Sequence, residues 1–346
     1  MWKGRTLFFC SLAFIAGDLF GGWLTLPPLL FLILAIISAV SAHIYRKRLL
    51  ILTTLLLLGA SSLQISRIPA YSERSAIALT ASYLKESFSR SVSEIISEGE
   101  ELAIVRALTI GDKGDINREL RENYRKSGAM HLLALSGLHV GIIYKIVELM
   151  LFFIGGSITA RRIKSLFIVI LLWCFAIVTG LSSSIFRAVL MITIYEFSGW
   201  RYSDRDGLTS LAAGALIITI FNPEAPREVG FQLSFCAVLS IFTIYPLIKR
   251  LMYTRIRLLE RLWNGICISI SCQMTTGVIA YFYFGSFPLY FLLTNIMAIP
   301  LTAVTLYMTA TALITKNIPF VGTFSATILQ FTVGLLNKIV EIIANL

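Results

Sequence analysis

Apolar runs of about 20 residues, the length a helix needs to cross a bilayer, follow one another almost from end to end of this 346-residue chain. They are expected near 6–24, 27–45, 49–65, 128–154, 165–181, 184–199, 207–221, 231–248, 262–284, 289–314 and 318–342. Inside hydrocarbon every backbone polar group must be satisfied within the protein, which leaves helices and closed barrels. These runs lack the alternation of strands, so the expected fold is all-α: a polytopic membrane protein with about eleven transmembrane helices. A mean hydropathy of +0.80 with 14% charged residues excludes an ordinary water-soluble surface. Three parts are expected: N-terminal transmembrane helices over 1–66, extracytoplasmic amphipathic helices over 67–127, and a polytopic core over 128–346.

Lys and Arg set the orientation. With the N-terminus in the cytoplasm, the inside loops hold Lys3 and Arg5; Arg46, Lys47 and Arg48; Arg161, Arg162 and Lys164; Arg201 and Arg205; and Lys249, Arg250, Arg255, Arg257 and Arg261. The short outside turns hold almost none, as the positive-inside rule requires. Segment 66–127 then lies outside, where its ten Lys/Arg balance its ten Asp/Glu. The net charge of +11 therefore reflects topology and is by itself weak support for nucleic-acid binding. Lys3 and Arg5 before an apolar run resemble a signal peptide, but no small-residue cleavage site follows, so the run is expected to stay as the first span.

Within 72–127, Ile77, Leu84, Phe88, Val92, Ile95 and Ile96 recur at helical spacing, and Leu102, Ile104, Val105 and Leu108 lead to a stop at Gly111. A solvated face with its apolar side on the spans is expected; a lid over a pore mouth is the sharper alternative. The five cysteines lie in apolar runs without metal-ligand spacing and are expected as small buried residues. No metal and no cofactor is expected.

Polar groups at membrane depth are costly and tend to face a protein interior or a wet path. His131-Leu-Leu-Ala-Leu-Ser-Gly-Leu-His-Val-Gly141 puts two imidazoles and Ser136 into an apolar stretch. On a straight helix His131 and His139 stand about 80° apart, and converge only if Ser136-Gly137 bends it. Gly137 and Gly141 make a small-xxx-small face suited to close packing. Lys145 and Glu148 are spaced to pair. Ser183 and Arg187 share a helix face, with Arg187 either snorkelling to headgroups or facing a path. Gln232 and Ser234 enter a span as helix glue or wall. Asn295 with Pro300 five residues on predicts a broken helix whose freed carbonyls need partners or water.

These motifs, in this order, resemble the membrane "competence" domain of the ComEC family, inner-membrane channel proteins of bacterial DNA uptake. The resemblance runs over about residues 100–305: Leu102 to Gly111-Asp112, Gly128 to Gly141, Thr179-Gly to Met191, Asn222-Pro to Phe235, and Tyr283-Phe-Gly to Asn295 and Pro300. Full-length members resembling this chain carry an outside OB-type domain and a metallo-β-lactamase-like nuclease domain. Segment 66–127 is too short and too helical for an OB barrel, and no His-x-His-x-Asp-His string occurs. The resemblance implies a channel for single-stranded DNA in the bacterial cytoplasmic membrane. The DNA receptor, the nuclease and a cytoplasmic motor or strand-capture protein would then be separate chains, since no Walker A string is present either. A pore within one chain and a pore in a homodimer both fit.

His131, Ser136, Gly137, His139, Lys145, Ser183, Arg187, Gln232, Ser234, Asn295 and Pro300 are the expected path residues. Two other classes stay open. A solute transporter or intramembrane enzyme would use His131, Ser136, His139 and Arg187, but nothing in the spacing brings Ser136 to either histidine, so no catalytic residue is assigned and no enzyme is expected. A non-conducting scaffold would only dock partners.

Overall fold

A computed structural model describes residues 6–21, 28–45, 48–66, 76–154, 157–201, 205–253, 255–285 and 287–346. The expected basic residues Lys3, Arg5, Arg46 and Lys47, and Ser286, lie outside these, as do the side chains of Arg48, Ile77 and Arg201. All regular structure among the described residues is helical. The helices are α1 Thr6–Gly21, α2 Pro28–Tyr45, α3 Arg48–Ser66, α4 Ala76–Ser93, α5 Glu100–Ile110, α6 Arg118–Lys126, α7 Met130–Leu133 and α8 Gly137–Met150. There follow α9 Ile158–Val178, α10 Ser183–Arg201, α11 Gly207–Phe221, α12 Val229–Thr243, α13 Tyr245–Lys249, α14 Arg257–Phe284, α15 Phe291–Thr315 and α16 Val321–Ala344.

Among the described residues, four stretches are long and apolar enough to cross a membrane: Val229–Lys249, Arg257–Phe284, Phe291–Thr315 and Val321–Ala344. Shorter apolar helices cover Thr6–Gly21, Leu30–Ala42, Leu49–Leu63 and Gly207–Phe221. Eleven crossings are thus more than helix length and composition establish. Side chains such as Phe221 and Phe282 stand 86% and 81% exposed. Leaving such a ring in water costs roughly 1.5–3 kcal/mol relative to burial, so these faces suit lipid.

The chain divides into two units, Met1–Glu73 with Leu190–Phe242, and Arg74–Val189 with Thr243–Leu346. In the first, α1 packs on α3 and α11, and α2 packs on α3. The α1–α3 approach is close enough to demand glycine: a Cβ on Gly17 would stand 1.8 Å from the Leu56 carbonyl oxygen, and one on Gly59 2.0 Å from that of Phe14. This is the small-residue packing expected at Gly137 and Gly141, but it occurs elsewhere. A Cβ on Gly137 would make only ordinary contact with Ala188, and one on Gly141 would meet nothing. A 3-10 turn, Ala225–Arg227, carries Arg227 back to the buried Asp18 of α1.

The second unit has its core where α5 meets α15 and α16. Leu102, Ala103, Ile104, Val105, Ala107, Leu108, Thr109 and Ile110 are all buried. They join Val92 and Ile96 of the α4 region, Leu120 and Tyr124 of α6, Leu132 and Leu133 of α7, and Ala298, Leu306, Leu329, Val333, Leu336 and Val340 of the C-terminal pair. A solvated amphipathic face therefore does not describe α5. Its exposed-looking Arg106 is taken up by Asp115, and by Ser93 Oγ at 2.7 Å. Gly111 closes α5 in the left-handed conformation, its N–H donating to the Ala107 carbonyl, as a helix C-cap glycine does. Two further expectations change. The 128–154 run is not one helix, and α15 continues through Pro300 without breaking. Of the cysteines, Cys267 is buried whereas Cys174 is exposed.

Candidate functional site

The run from His131 to Gly141 folds as two elements. α7 ends at Leu133, Ala134 is extended, and Ser136, with φ −134° and ψ 170°, is the N-cap of α8. The Ser136 N–H donates to His139 Nδ1 at 3.3 Å, and its Oγ lies 3.0 Å from the same nitrogen. The imidazole thus takes the place of the Glu or Gln side chain of a capping box. Structure brings together the two residues that spacing left apart. With Nδ1 accepting, the neutral ring carries its proton on Nε2, and that buried atom has no protein partner. His139 is fully buried. His131 is exposed, its Nδ1 2.9 Å from the Gly128 carbonyl oxygen. The chain does break between the two histidines, with α7 ending at Leu133 and α8 starting at Gly137.

The segment entering α7 is pinned to the start of α15. Gly128 has φ +81°, and a Cβ there would stand 2.7 Å from the Pro288 Cβ. The Thr294 hydroxyl donates to the Ser127 carbonyl at 2.6 Å. α15 also packs on α8, and it carries three buried polar atoms without a protein partner: Asn295 Oδ1, Thr302 Oγ1 and Thr305 Oγ1. Asn295 and Thr302, seven residues apart, lie on one helix face. The contrast with Thr309 is informative, because its hydroxyl bonds the Thr305 carbonyl at 2.8 Å. Thr302 and Thr305, both fully buried, make no such bond. An unsatisfied buried polar atom costs about 1–3 kcal/mol, so these atoms call for water or a polar ligand. Neither threonine was expected as a site residue; the available signal was the series of threonines along α15, of which Thr302 and Thr305 are two.

Arg187 is 4% exposed, so it turns inward and does not snorkel. It sits beside Ala188, the residue Gly137 faces, which places it next to the start of α8. Ser183 does not accompany it, being exposed in the first turn of α10, while the neighbouring Ser182 hydroxyl is buried without a hydrogen-bond partner.

The remaining expected residues are satisfied locally. Lys145 pairs with Glu148 at 2.5 Å on an exposed face of α8. In the first unit Gln232 Nε2 donates to the Pro226 carbonyl at 3.0 Å, and Ser234 Oγ to the Gly230 carbonyl at 2.9 Å. Pro300 is exposed. Among the described residues no three His, Cys, Asp or Glu side chains stand together as metal ligands would.

The competence protein family, described as "Competence protein", matches residues 108–346. ComE operon protein 3 of Bacillus subtilis (strain 168) is 29% identical over 205 residues, 58% of this chain and 25% of that protein. Competence protein ComA of Neisseria gonorrhoeae is 26% identical over 234 residues, 65% of this chain and 31% of that protein. The aligned part thus spans about a quarter to a third of the curated relatives' own length. No solved structure matches significantly.

Proposed function

This chain belongs to the competence protein family, and on that premise we propose that it is a channel for the uptake of single-stranded DNA through the bacterial inner membrane. The observation carrying this reading is the set of buried polar atoms without protein partners in α8 and α15: His139 Nε2, Asn295 Oδ1, Thr302 Oγ1 and Thr305 Oγ1. A phosphate cannot shed its water into hydrocarbon at tolerable cost, so a strand needs a wet path. Buried groups that demand hydration, with Arg187 close by, are what the wall of such a path requires. Few cations along it suit movement, since dense phosphate contacts would hold the strand in place. The orientation that fits has a multi-pass chain with a cytoplasmic N-terminus, assigned by the basic loops. It would work with further proteins of DNA uptake, and a homodimer is a further form of the channel.

One observation favours a second reading. Ser136 Oγ at 3.0 Å from His139 Nδ1 has the spacing of a nucleophile and its base. Against it, the same nitrogen accepts the Ser136 backbone N–H, and Nε2 has no carboxylate to orient the ring. Labelling of Ser136 by a fluorophosphonate would favour the enzyme.

The test is transformation with labelled DNA. Arg187→Ala and His139→Ala are expected to lower entry into the cytoplasm at unchanged protein abundance. Normal uptake by both variants removes the wall assignment, and normal transformation after deletion of the gene removes the function.

A further inference from the structure

Between the end of α13 and the start of α14 lies a cleft of about 510 Å³ lined by Tyr245, Pro246, Lys249, Arg250, Met252, Tyr253, Glu260 and Trp263. Its aromatic walls are held in place: the Tyr245 hydroxyl donates to Asn264 Oδ1 at 3.2 Å, and Trp263 Nε1–H donates to the Lys249 carbonyl at 3.3 Å. Lys249 Nζ sits over the Tyr245 ring, 5.8 Å from its centre. Among the described residues, the ion pairs do not include Lys249 or Arg250. The carboxylate in the cleft, Glu260, lies in the first turn of α14, where the helix dipole offsets its charge. Arg255, Arg257 and Arg261 follow on the same stretch and are exposed.

Two stretches long and apolar enough to cross a membrane, Val229–Lys249 and Arg257–Phe284, terminate at this cleft, which fits the depth where acyl chains meet headgroups. Exposed aliphatic side chains lie close to its lining residues in sequence: Leu251 is 78% and Leu258 68% exposed, and Ile256 is exposed as well. Cations, interfacial Tyr and Trp rings and exposed aliphatic side chains together match an amphiphile with an anionic head. A bare polyanion would match the cations but offer nothing to the aliphatic side chains. We propose that this cleft is a binding site for the headgroup of an anionic phospholipid, the phosphodiester lying between Lys249 and Arg250 and the acyl chains along Leu251 and Leu258. The site is independent of what crosses the membrane.

The experiment is native mass spectrometry of the full chain in non-ionic detergent, titrated with phosphatidylglycerol or with phosphatidylcholine of the same acyl chains. Each basic residue near an anionic surface contributes about fivefold in affinity. Lys249→Gln with Arg250→Gln is thus expected to weaken phosphatidylglycerol retention by about thirtyfold, leaving phosphatidylcholine retention and thermal unfolding unchanged. The charge-preserving pair Lys249→Arg with Arg250→Lys is expected to retain it. If the doubly neutral chain fails to fold, the single Arg250→Gln carries the test with about a fivefold loss. Equal retention of the two lipids by the unaltered protein, or unweakened phosphatidylglycerol retention by the folded neutral variant, overturns the proposal. Displacement of phosphatidylglycerol by oligothymidylate from the unaltered protein also overturns it, by assigning the cleft to a nucleic-acid strand.

Discussion

Arg227 reaches Asp18 across 209 residues of sequence and closes on it with both ends of its guanidinium: Nη1 lies 3.1 Å from Asp18 Oδ2, and Nη2 donates to the Asp18 carbonyl at 2.6 Å and the Leu19 carbonyl at 3.0 Å. The carboxylate is fully buried and the arginine partly so. Removing one member of such a pair leaves a charge with no compensation, which costs about 3–5 kcal/mol. Arg227→Ala is therefore expected to lower thermal stability in detergent severely. Asp18→Asn, which keeps both carbonyl acceptors, should cost less. Equal losses would mean that the ion pair, and not the carbonyl bonds, holds the turn to α1.

The α1–α3 contact makes a sharper comparison. Gly17→Ala and Gly59→Ala each drive a methyl into a backbone carbonyl, and backbone cannot yield as a side chain does, so each should cost about 1–3 kcal/mol or more. Gly141→Ala, with nothing within 4 Å, should be neutral or stabilise α8 by up to about 1 kcal/mol. Unfolding midpoints of the three variants check this directly.

Thr302→Val and Thr305→Val separate stability from transport. Exchanging an unpaired buried hydroxyl for a methyl of the same shape is nearly neutral or stabilising, yet it dries the face that α15 shares with Asn295. Unfolding midpoints should hold or rise while DNA entry falls. Normal uptake by the double variant would place the path elsewhere.

Tyr124, on α6 and outside the apolar spans, is fully buried, and its hydroxyl donates to Asn337 Oδ1 at 2.9 Å. Burial, and secondarily the negative charge of Glu100, pushes its phenol far above the usual tyrosine range. Above about pH 10 the unfolded chain loses this proton while the folded chain keeps it. Stability contributed by the protonated form is complete below that pH and falls as pH rises further. Tyr124→Phe should cost about 1 kcal/mol at neutral pH and flatten the alkaline decline in denaturant titrations. Phenolate absorbance should report one tyrosine that ionises only on unfolding.

Helix positions follow in large part from apolar run length: the 207–221 run is α11 to the residue and most others differ by a few residues at their ends, but α9 begins well before its run, and the 128–154 and 231–248 runs each divide into two helices. What escaped depends on distant partners. α5 reads as amphipathic because Glu100, Glu101 and Arg106 interrupt it, and only the folded chain shows Asp115 and Ser93 taking up Arg106 while α15 and α16 cover the rest. Asp18 sat in an apolar run with no local partner, since its arginine lies far along the chain. The break after Leu133 had a signal in Ser136-Gly137, an N-cap residue before a helix former's poorest neighbour, but a histidine closing that cap has no common pattern. Pro300 misled in the other direction: it removes one N–H, and the helix on either side is long enough to carry the chain through. In the site, His139 and Arg187 were legible as polar intruders. The unsatisfied state of His139 Nε2 and of the α15 threonines was not, because satisfaction is a property of neighbours.

The burial of α5 on every side also fixes an order of assembly. Synthesis proceeds from the N-terminus, so α5 leaves the ribosome long before the two helices that enclose it. Throughout that interval its apolar side chains have only the short neighbouring helices, the bilayer or a chaperone to contact. A chain stalled ahead of α16 would therefore expose the central segment of its larger unit, and quality-control proteases would meet that segment first.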